Sequence, residues 1–366
     1  MPTPHLFVDI SSHGFGHLAQ VAPILNELGR RRPDLRLSVR SGLAAEKLQS
    51  RLQCKFTHIQ GSSDFGFAML DAVRIDHAAS AEAYRAQHLD WPQRVNEEAS
   101  LLRRLKPDLV LSDVAYLPLA GAAQAGIPSL SMCSLNWADL FAHFFGQQPW
   151  AKPIHDQMLA AYRAAECFLR LTPAMAMRDF PRTRAIAPVA AIGYDRRAAL
   201  LAQLPCRPDS KLVLVAFGGY DKDLAAERWP RVDGVHYLIP QSWPIARADM
   251  SATEPLGLPF TDLLRSVDAV LTKPGYGTFT EAACSGTAVL YLRRDDWPEQ
   301  DCLIDWLKLN ARCREINEAD LMRGDWSARL DQLWRQPLPA RPQPDGVVEA
   351  ASLLAERLAQ TQTPKI

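Results

Sequence analysis

The chain has 366 residues, 48% of them hydrophobic, with 41 basic and 41 acidic side chains and a formal net charge of zero. This length allows two domains with sizeable cores, and the balanced charge gives no electrostatic basis for nucleic acid as a partner. The seven cysteines lack any C-x-x-C or other metal-ligand spacing, so we expect buried thiols in a reducing, cytoplasmic compartment.

Short apolar strands alternate with amphipathic helices through the first half of the chain. The predicted strands cover residues 6–10, 36–40, 56–59, 106–113, 129–132, 167–171 and 185–192. The predicted helices follow the first strand and then cover residues 81–105, 120–125 and 156–165. This alternation predicts a mainly parallel sheet with helices on its faces.

The first strand runs into a glycine-containing turn, residues 11–17, that carries His13 and His17. A dinucleotide-binding fingerprint is a poor match, because its glycine spacing and its later acidic residue are both missing. An imidazole suits a general base at neutral pH, so His17 is the candidate base. His13, Gly14 and Gly16 are candidate acceptor-side or turn residues. The alternative for His17 is a helix N-terminal residue bonded to backbone.

Asp113 ends the predicted strand at 106–113. The carboxyl ends of parallel strands share one edge of a sheet, so Asp113 can reach His17 and orient its ring. Alternatively, Asp113 is the N-cap of the helix that follows.

The segment 136–150 is rich in aromatic residues, and three interpretations stay open: core beneath a helix, a wall for the acceptor, or a patch resting on a membrane surface.

The second half of the chain shows the same alternation. Strands are predicted at 211–217, 235–239, 268–272 and 288–292, with a helix at 260–266, and a Pro-rich run at 337–344 precedes a last helix at 347–359. We therefore expect a first domain over 1–195, a linker over 196–209, a second domain over 210–344 and a C-terminal helix, 345–360, that returns to the first domain.

A second glycine turn follows the strand at 268–272, and it reads Gly275-Tyr276-Gly277-Thr278. Thr278 and Glu281 have the spacing of a capping box, which places Glu281 in the first turn of a helix. Glycines let the backbone approach a ligand, and a helix N-terminus attracts phosphate. The turn therefore predicts a nucleotide diphosphate site, with Glu281 on the ribose hydroxyls. An ordinary strand–helix turn is the alternative.

These motifs resemble the two-domain GT-B class of inverting nucleotide-sugar glycosyltransferases. The first half is similar to plant UDP-glycosyltransferases at Gly16-His17, Asp113 and Gly126-Ile127-Pro128. The second half is similar to the donor domain of the peptidoglycan N-acetylglucosaminyltransferase. Its donor-binding positions correspond here to Gly218, Gly219, Gly275, Tyr276, Gly277, Thr278, Glu281 and Gln300.

The strongest likeness is to the glycosyltransferase-like N-terminal region of plant L-arabinokinases. The shared residues are His13-Gly-Phe-Gly-His17, Ala125-Gly-Ile-Pro-Ser129 followed by Asn136-Trp137, Tyr276-Gly-Thr278 with Glu281, and Arg293-Arg294-Asp295. The phosphate loop of the kinase half is absent from this sequence, so no sugar-kinase activity is implied. Lys273 stands where the plant glycosyltransferases present a histidine.

The resemblance implies two Rossmann-like domains facing a cleft and an α/β fold of the GT-B type. It also implies inverting transfer of a sugar from a UDP- or dTDP-linked donor to an acceptor hydroxyl that the sequence does not identify. We expect no cofactor and no metal, because an Asp-x-Asp motif and His/Cys ligand spacing are both missing. Epimerisation of a nucleotide sugar, or binding without turnover, are the alternatives on the same scaffold.

Overall fold

The computed structural model describes residues 3–71, 73–218, 224, 226–243, 246–323 and 327–361. Within them the chain forms two compact units. The first comprises Met1–Met69, Ile75–Val189 and Asp345–Ile366, and the second comprises Leu70–Arg74 and Ala190–Pro344. None of the described helices is both long and apolar enough to cross a membrane.

The first unit is built on a parallel seven-stranded sheet. Its elements before residue 190 are β1 (His5–Ile10), α1 (Phe15–Arg31), β2 (Arg36–Ser41), α2 (Ala45–Gln49), β3 (Thr57–Gln60), α3 (His77–Leu89), α4 (Trp91–Leu105), β4 (Leu109–Asp113), α5 (Leu117–Ala125), β5 (Ser129–Cys133), α6 (Trp137–Phe145), α7 (Ala151–Ala164), β6 (Cys167–Leu171) and β7 (Thr183–Ile186).

The strand order is β3-β2-β1-β4-β5-β6-β7, with all pairs parallel. Strands β1 and β4 are buried along their whole length, as expected for central strands covered by helices on both faces. The order reverses between β1 and β4, where Ile10 pairs with Asp113. In such a sheet, ligands bind beyond the carboxyl ends of the strands at the reversal.

The predicted strand at 106–113 begins at Leu109, and the predicted helices at 120–125 and 156–165 begin earlier, at Leu117 and Ala151. Two predicted elements of this unit need larger corrections. The helix expected over 81–105 is two helices that meet at Asp90. Pro92 explains the break, because a proline inside a continuing helix would lack the amide donor and clash with the preceding turn. The strand expected over 185–192 ends at Ile186, and the residues after it lead into the second unit.

The second unit holds a parallel six-stranded sheet of order β10-β9-β8-β11-β12-β13. Its elements are α8 (Arg197–Gln203), β8 (Lys211–Ala216), β9 (Val235–Ile239), β10 (Met250–Ala252), α9 (Phe260–Ser266), β11 (Ala269–Thr272), α10 (Tyr276–Ser285), β12 (Ala288–Leu292), α11 (Glu299–Asn310), β13 (Cys313–Ile316), α12 (Glu318–Arg323) and α13 (Ser327–Trp334).

The second unit starts earlier than the predicted boundary at residue 210. Residues 196–209, which we expected to be a linker, include α8 and group with this unit. Arg197 holds α8 in place, because its guanidinium donates to the Asp268 carboxylate and to the Ser210 carbonyl. The segment 70–74 also groups here, and Val73 is buried in the core of this unit.

The last helix, α14 (Gly346–Thr361), groups with the first unit and packs against α1. Arg31 on α1 donates to the Ser352 hydroxyl at 2.7 Å. Arg357 on α14 forms a bidentate ion pair with Glu166. Gly346 fits only as glycine, since a Cβ there would lie 1.9 Å from the Ala187 carbonyl oxygen.

Candidate active site in the first unit

His17 and Asp113 meet at the reversal point of the first sheet. His17 is the third residue of α1, and Asp113 is the last residue of the neighbouring strand β4. The His17 Nδ1–H donates to Asp113 Oδ1 at 3.5 Å and lies 3.3 Å from Oδ2. Burial lowers the pKa of His17, but the Asp113 carboxylate outweighs it and raises that pKa well above its ordinary value.

The alternatives for these two residues do not match the structure. Asp113 caps no helix, because α5 begins four residues later with Tyr116 as its N-cap and without a side-chain cap bond. The side chain of His17 is engaged by Asp113 and not by backbone. With Asp113 on Nδ1, the other ring nitrogen, Nε2, is on the opposite edge of the ring and is not used in this contact.

A buried cysteine completes a group of three. Cys133 ends β5, the strand beside β4, and its Sγ lies 3.9 Å from His17 Nδ1. Burial raises the pKa of the Cys133 thiol to about 11. Ligand atoms of His17, Asp113 and Cys133 all lie within 4.8 Å of one another. We did not find Cys133 from the sequence, although its place at a strand end next to Asp113 was the available signal.

Asp64 is a second buried carboxyl that sequence reasoning missed. Its Oδ2 accepts a hydrogen bond from the indole Nε1 of Trp137 at 2.6 Å. Burial, reinforced by the charge of Asp9, raises the pKa of Asp64 to about 6. Asp64 lies in the irregular segment between β3 and α3, so no strand end or helix pattern points to it.

His13 packs edge-on against Trp137, with ring centroids 5.2 Å apart, and 6.5 Å from the His17 ring. Gly66 makes this packing possible, because its φ is +64° and a Cβ would lie 2.7 Å from the His13 ring. Gly14 and Gly16 are different: a Cβ at either position would meet no atom within 4 Å. Internal packing does not require these two glycines, and the open space suits a turn that faces a ligand.

The aromatic segment 136–150 is mainly core. Asn136 is fully buried and caps α6 by accepting from the Asp139 amide at 2.8 Å. Trp137, Phe141 and Phe145 are buried, so the core interpretation matches the structure better than a membrane patch. We expected Asn136 and Trp137 to face an acceptor. In the structure both are buried, Asn136 caps α6, and Trp137 packs against the rings of His13 and His17.

Candidate donor site in the second unit

The second glycine turn lies where it was expected, between β11 and α10, but its capping differs. Helix α10 begins at Tyr276, with the extended Gly275 as N-cap and no side-chain cap bond. The predicted capping box of Thr278 and Glu281 is therefore wrong, because the helix starts before Thr278. Glu281 lies in the second turn and is 1% exposed. The amides of the first turn remain the groups that a phosphate would meet.

A lysine lies beside this turn. A Cβ on Gly218 would lie 3.7 Å from Lys273 Cε, and the φ of Gly218 is +76°, a value that favours glycine. Burial and the nearby charge of Arg294 lower the pKa of Lys273 well below its ordinary value. Gly219, the other predicted glycine of this strand end, lies outside the described residues.

Gln300 is buried, and its side chain is hydrogen-bonded to the backbone of Arg294. Its Oε1 accepts from the Arg294 amide at 3.0 Å, and its Nε2 donates to the Arg294 carbonyl at 3.1 Å. The Arg294 guanidinium lies over the Trp297 ring, 3.8 Å from its centroid. Gln300 thus fixes the backbone that presents Arg294, and its contact with a donor stays a prediction. Arg293, by contrast, pairs with Asp301 and is partly exposed.

Comparison with known proteins agrees with this architecture. No protein-family model matches the chain. L-arabinokinase of Arabidopsis thaliana is 24% identical over 366 residues, which cover 96% of this chain but 34% of the arabinokinase, so the chain spans about a third of that protein's length.

Among solved structures, the calicheamicin glycosyltransferase CalG4 has a TM-score of 0.62 at 16% identity, covering 99% of this chain and 95% of CalG4. A Listeria monocytogenes protein described as a UDP-N-acetylglucosamine 2-epimerase has a TM-score of 0.59 at 12% identity, covering 100% and 99%. The chain therefore has the GT-B fold, and the fold class predicted from its sequence is confirmed.

Proposed function

We propose that this protein is an inverting glycosyltransferase that uses a UDP- or dTDP-linked sugar as donor. The observation that carries the proposal is the buried pair of His17 and Asp113 at the sheet reversal. In this proposal the first unit supplies the base and the second unit supplies the donor site. The acceptor is a molecule with a nucleophilic hydroxyl.

The chemistry follows from the two nitrogens of His17. The base is the neutral form of His17, which is populated above its raised pKa. In that form Asp113 accepts from Nδ1–H and so fixes the tautomer that leaves Nε2 as acceptor. The acceptor hydroxyl gives its proton to Nε2 while its oxygen bonds to the anomeric carbon. The bond from that carbon to the β-phosphate oxygen breaks, the nucleoside diphosphate leaves, and the anomeric configuration inverts. The Asp113 charge stabilises the imidazolium that forms.

The leaving group needs a partner for its charge. In the proposal, the amides of the first turn of α10 bind the diphosphate, since a helix N-terminus favours anions. Lys273, next to the same turn, adds a positive charge when it is protonated. Such groups stabilise a leaving diphosphate without a divalent ion. Glu281 is proposed to hold the ribose hydroxyls.

Nucleotide binding and turnover test the proposal in that order. Wild type should bind UDP or dTDP more tightly than GDP, and its melting temperature should rise with the nucleotide that binds. His17→Ala should keep that binding and release nucleoside diphosphate from the sugar donor about 10²–10⁴-fold more slowly. Asp113→Asn should lose less than His17→Ala. The matched control is His143→Ala, an exposed histidine on α6. Full turnover by His17→Ala, or no binding of any nucleotide, would refute the proposal.

One observation favours a second function. An epimerase of nucleotide sugars would need a further carboxyl near the sugar, and the structure supplies buried Asp64, joined to Trp137, which packs against His13 and His17. The Listeria protein of similar fold is described as such an epimerase. Incubation of UDP-N-acetylglucosamine without an acceptor, followed by proton NMR, distinguishes the two. If wild type forms a nucleotide sugar epimerised at one carbon and the Asp64→Asn variant does not, the protein is an epimerase.

A further inference from the structure

The contact between His17 and Asp113 is long for a charge-assisted hydrogen bond. Such bonds have N···O distances of about 2.7–2.9 Å, whereas Nδ1 of His17 lies 3.3 Å from Oδ2 of Asp113. Two ligands that bind a tetrahedral zinc ion at about 2.0–2.1 Å are about 3.3 Å apart. Imidazole and thiolate ligands of such an ion are about 3.6 Å apart, and Nδ1 lies 3.9 Å from Sγ of Cys133.

The charges of the group also suit a divalent ion. A Cys133 thiolate and an Asp113 carboxylate carry two negative charges, and a neutral His17 adds none, so the bound ion would be neutralised. This balance matters because all three side chains are buried, and a buried uncompensated charge is costly. Oδ2 of Asp113 is buried and accepts no hydrogen bond from the described residues, so it is available as a ligand atom.

The ligand types select the metal. Thiolate and imidazole favour zinc and similar ions over magnesium or manganese, which prefer oxygen ligands. Three protein ligands also leave one tetrahedral position for water. The ligands come from the ends of the adjacent strands β4 and β5 and from the first turn of α1, so the backbone holds them close together before a metal arrives.

We infer that His17, Asp113 and Cys133 form a binding site for a zinc-class divalent ion, and that this ion switches off the base. For the ion to take the lone pair of Nδ1, the Nδ1 proton leaves to solvent and Nε2 takes up a proton from solvent, so the neutral ring carries its single proton on Nε2. The Cys133 thiol also loses its proton to solvent. Nε2 then has no lone pair with which to accept a proton from an acceptor. The switch rests on the proposed function, whereas the metal site does not.

Cobalt is the probe for the site, because a cobalt thiolate absorbs in the near-ultraviolet and visible range, where a zinc thiolate does not. Titration of metal-free wild type with Co²⁺ should give one equivalent bound and a thiolate-to-cobalt charge-transfer band, and Zn²⁺ should abolish the band. Cys133→Ser and Cys133→Ala should lose the band and bind at least about tenfold more weakly. The matched control, Cys167→Ser at the start of the next strand, should behave as wild type.

Two results would overturn the site: no stoichiometric Co²⁺ binding by wild type, or a band that survives in folded Cys133→Ala. Circular dichroism establishes that the variants are folded. The switch has its own test, in which Zn²⁺ should inhibit nucleotide release by wild type more strongly than by Cys133→Ala. Equal inhibition of the two would refute the switch while leaving the metal site standing. Because Co²⁺ binding needs no substrate, a failure of the proposed glycosyl transfer cannot imitate a failure of the site.

Discussion

The indole Nε1 of Trp137 donates to Oδ2 of Asp64 at 2.6 Å, and this bond ties the first residue of α6 to the irregular segment between β3 and α3. Further bonds join that segment to the surrounding elements, among them the Phe67 amide to the His13 ring and the Ala68 amide to the Ser80 hydroxyl. Ser63 donates to Asp9 at 2.6 Å, and the Tyr84 hydroxyl donates to the Gly66 carbonyl at 2.8 Å. Side-chain bonds to the surrounding elements therefore determine the wall beside His17.

Replacing Trp137 with phenylalanine should destabilise the first unit by about 1.5–3 kcal/mol, because a buried carboxyl loses a charge-assisted hydrogen bond. The control is Trp150→Phe, at a partly buried tryptophan that packs on Phe141 and Phe145. Urea unfolding followed by circular dichroism measures both variants. Equal midpoints for the two would show that the Trp137–Asp64 bond contributes little.

Glu281→Ala should weaken nucleotide binding about tenfold or more, since a hydrogen bond to a charged group contributes roughly 1.5–3 kcal/mol. Isothermal titration with the nucleotide that binds wild type gives the affinity. Glu315→Ala, at an exposed position of the same unit, serves as control. Unchanged affinity in a folded Glu281→Ala protein would remove Glu281 from the donor site.

Treatment with a chelator should leave nucleotide release intact, because the proposed leaving-group partners are amides and a cation of the protein. If purified protein carries a zinc-class ion on His17, chelation should increase the rate. The rate before and after chelation, and after added magnesium or manganese, decides the point. Activity lost on chelation and restored by magnesium would contradict the metal-independent mechanism.

His88 should make the fold sensitive to mild acid. Burial lowers the pKa of His88 to about 4; the positive charge of Arg94 also lowers it, whereas the hydrogen bond of Nδ1 with Gln157 raises it. The other ring nitrogen, Nε2, is hydrogen-bonded to the Tyr116 hydroxyl. The unfolded chain has an ordinary histidine pKa of about 6.5 and so binds the proton more readily. Stability therefore falls as pH drops from about 6.5 toward 4, by about 2 kcal/mol between pH 7.5 and 5.

Replacement of His88 by glutamine removes that titration while keeping a polar side chain. The free energy of unfolding of His88→Gln should change less between pH 7.5 and 5 than that of wild type. His58→Gln, at a partly buried histidine of β3, should retain the wild-type slope. A parallel pH dependence in all three proteins would show that other groups dominate acid sensitivity.

The sequence predicts most of the fold because central strands are apolar runs with clear ends. Strands β6, β9 and β12 have the predicted bounds. The edge strands β10 and β13 were missed, since they are short and carry polar residues such as Ser251 and Arg314. An edge strand needs only one partner and leaves little periodicity to detect.

Some residues of the candidate sites could be predicted from the sequence and others could not. The meeting of His17 and Asp113 follows from topology, because His17 lies just after strand β1 and Asp113 ends the neighbouring parallel strand β4. Asp64 could not be placed, since its position depends on a tertiary bond to Trp137. The start of α10 was misplaced because Gly275, and not Thr278, takes the N-cap conformation. A shift of three residues changes which turn of the helix carries Glu281.

The return of α14 makes residues 190–344 an insertion in the first unit. The Gly346 amide donates to the Pro188 carbonyl at 3.2 Å, so the two ends of this insertion are neighbours. A gene fragment that stops at Val189 would encode a first unit without the helix that covers α1. A fragment in which Val189 is fused to Asp345 retains that helix and the His17 site, but Val73 then lacks the core of the second unit in which it is buried.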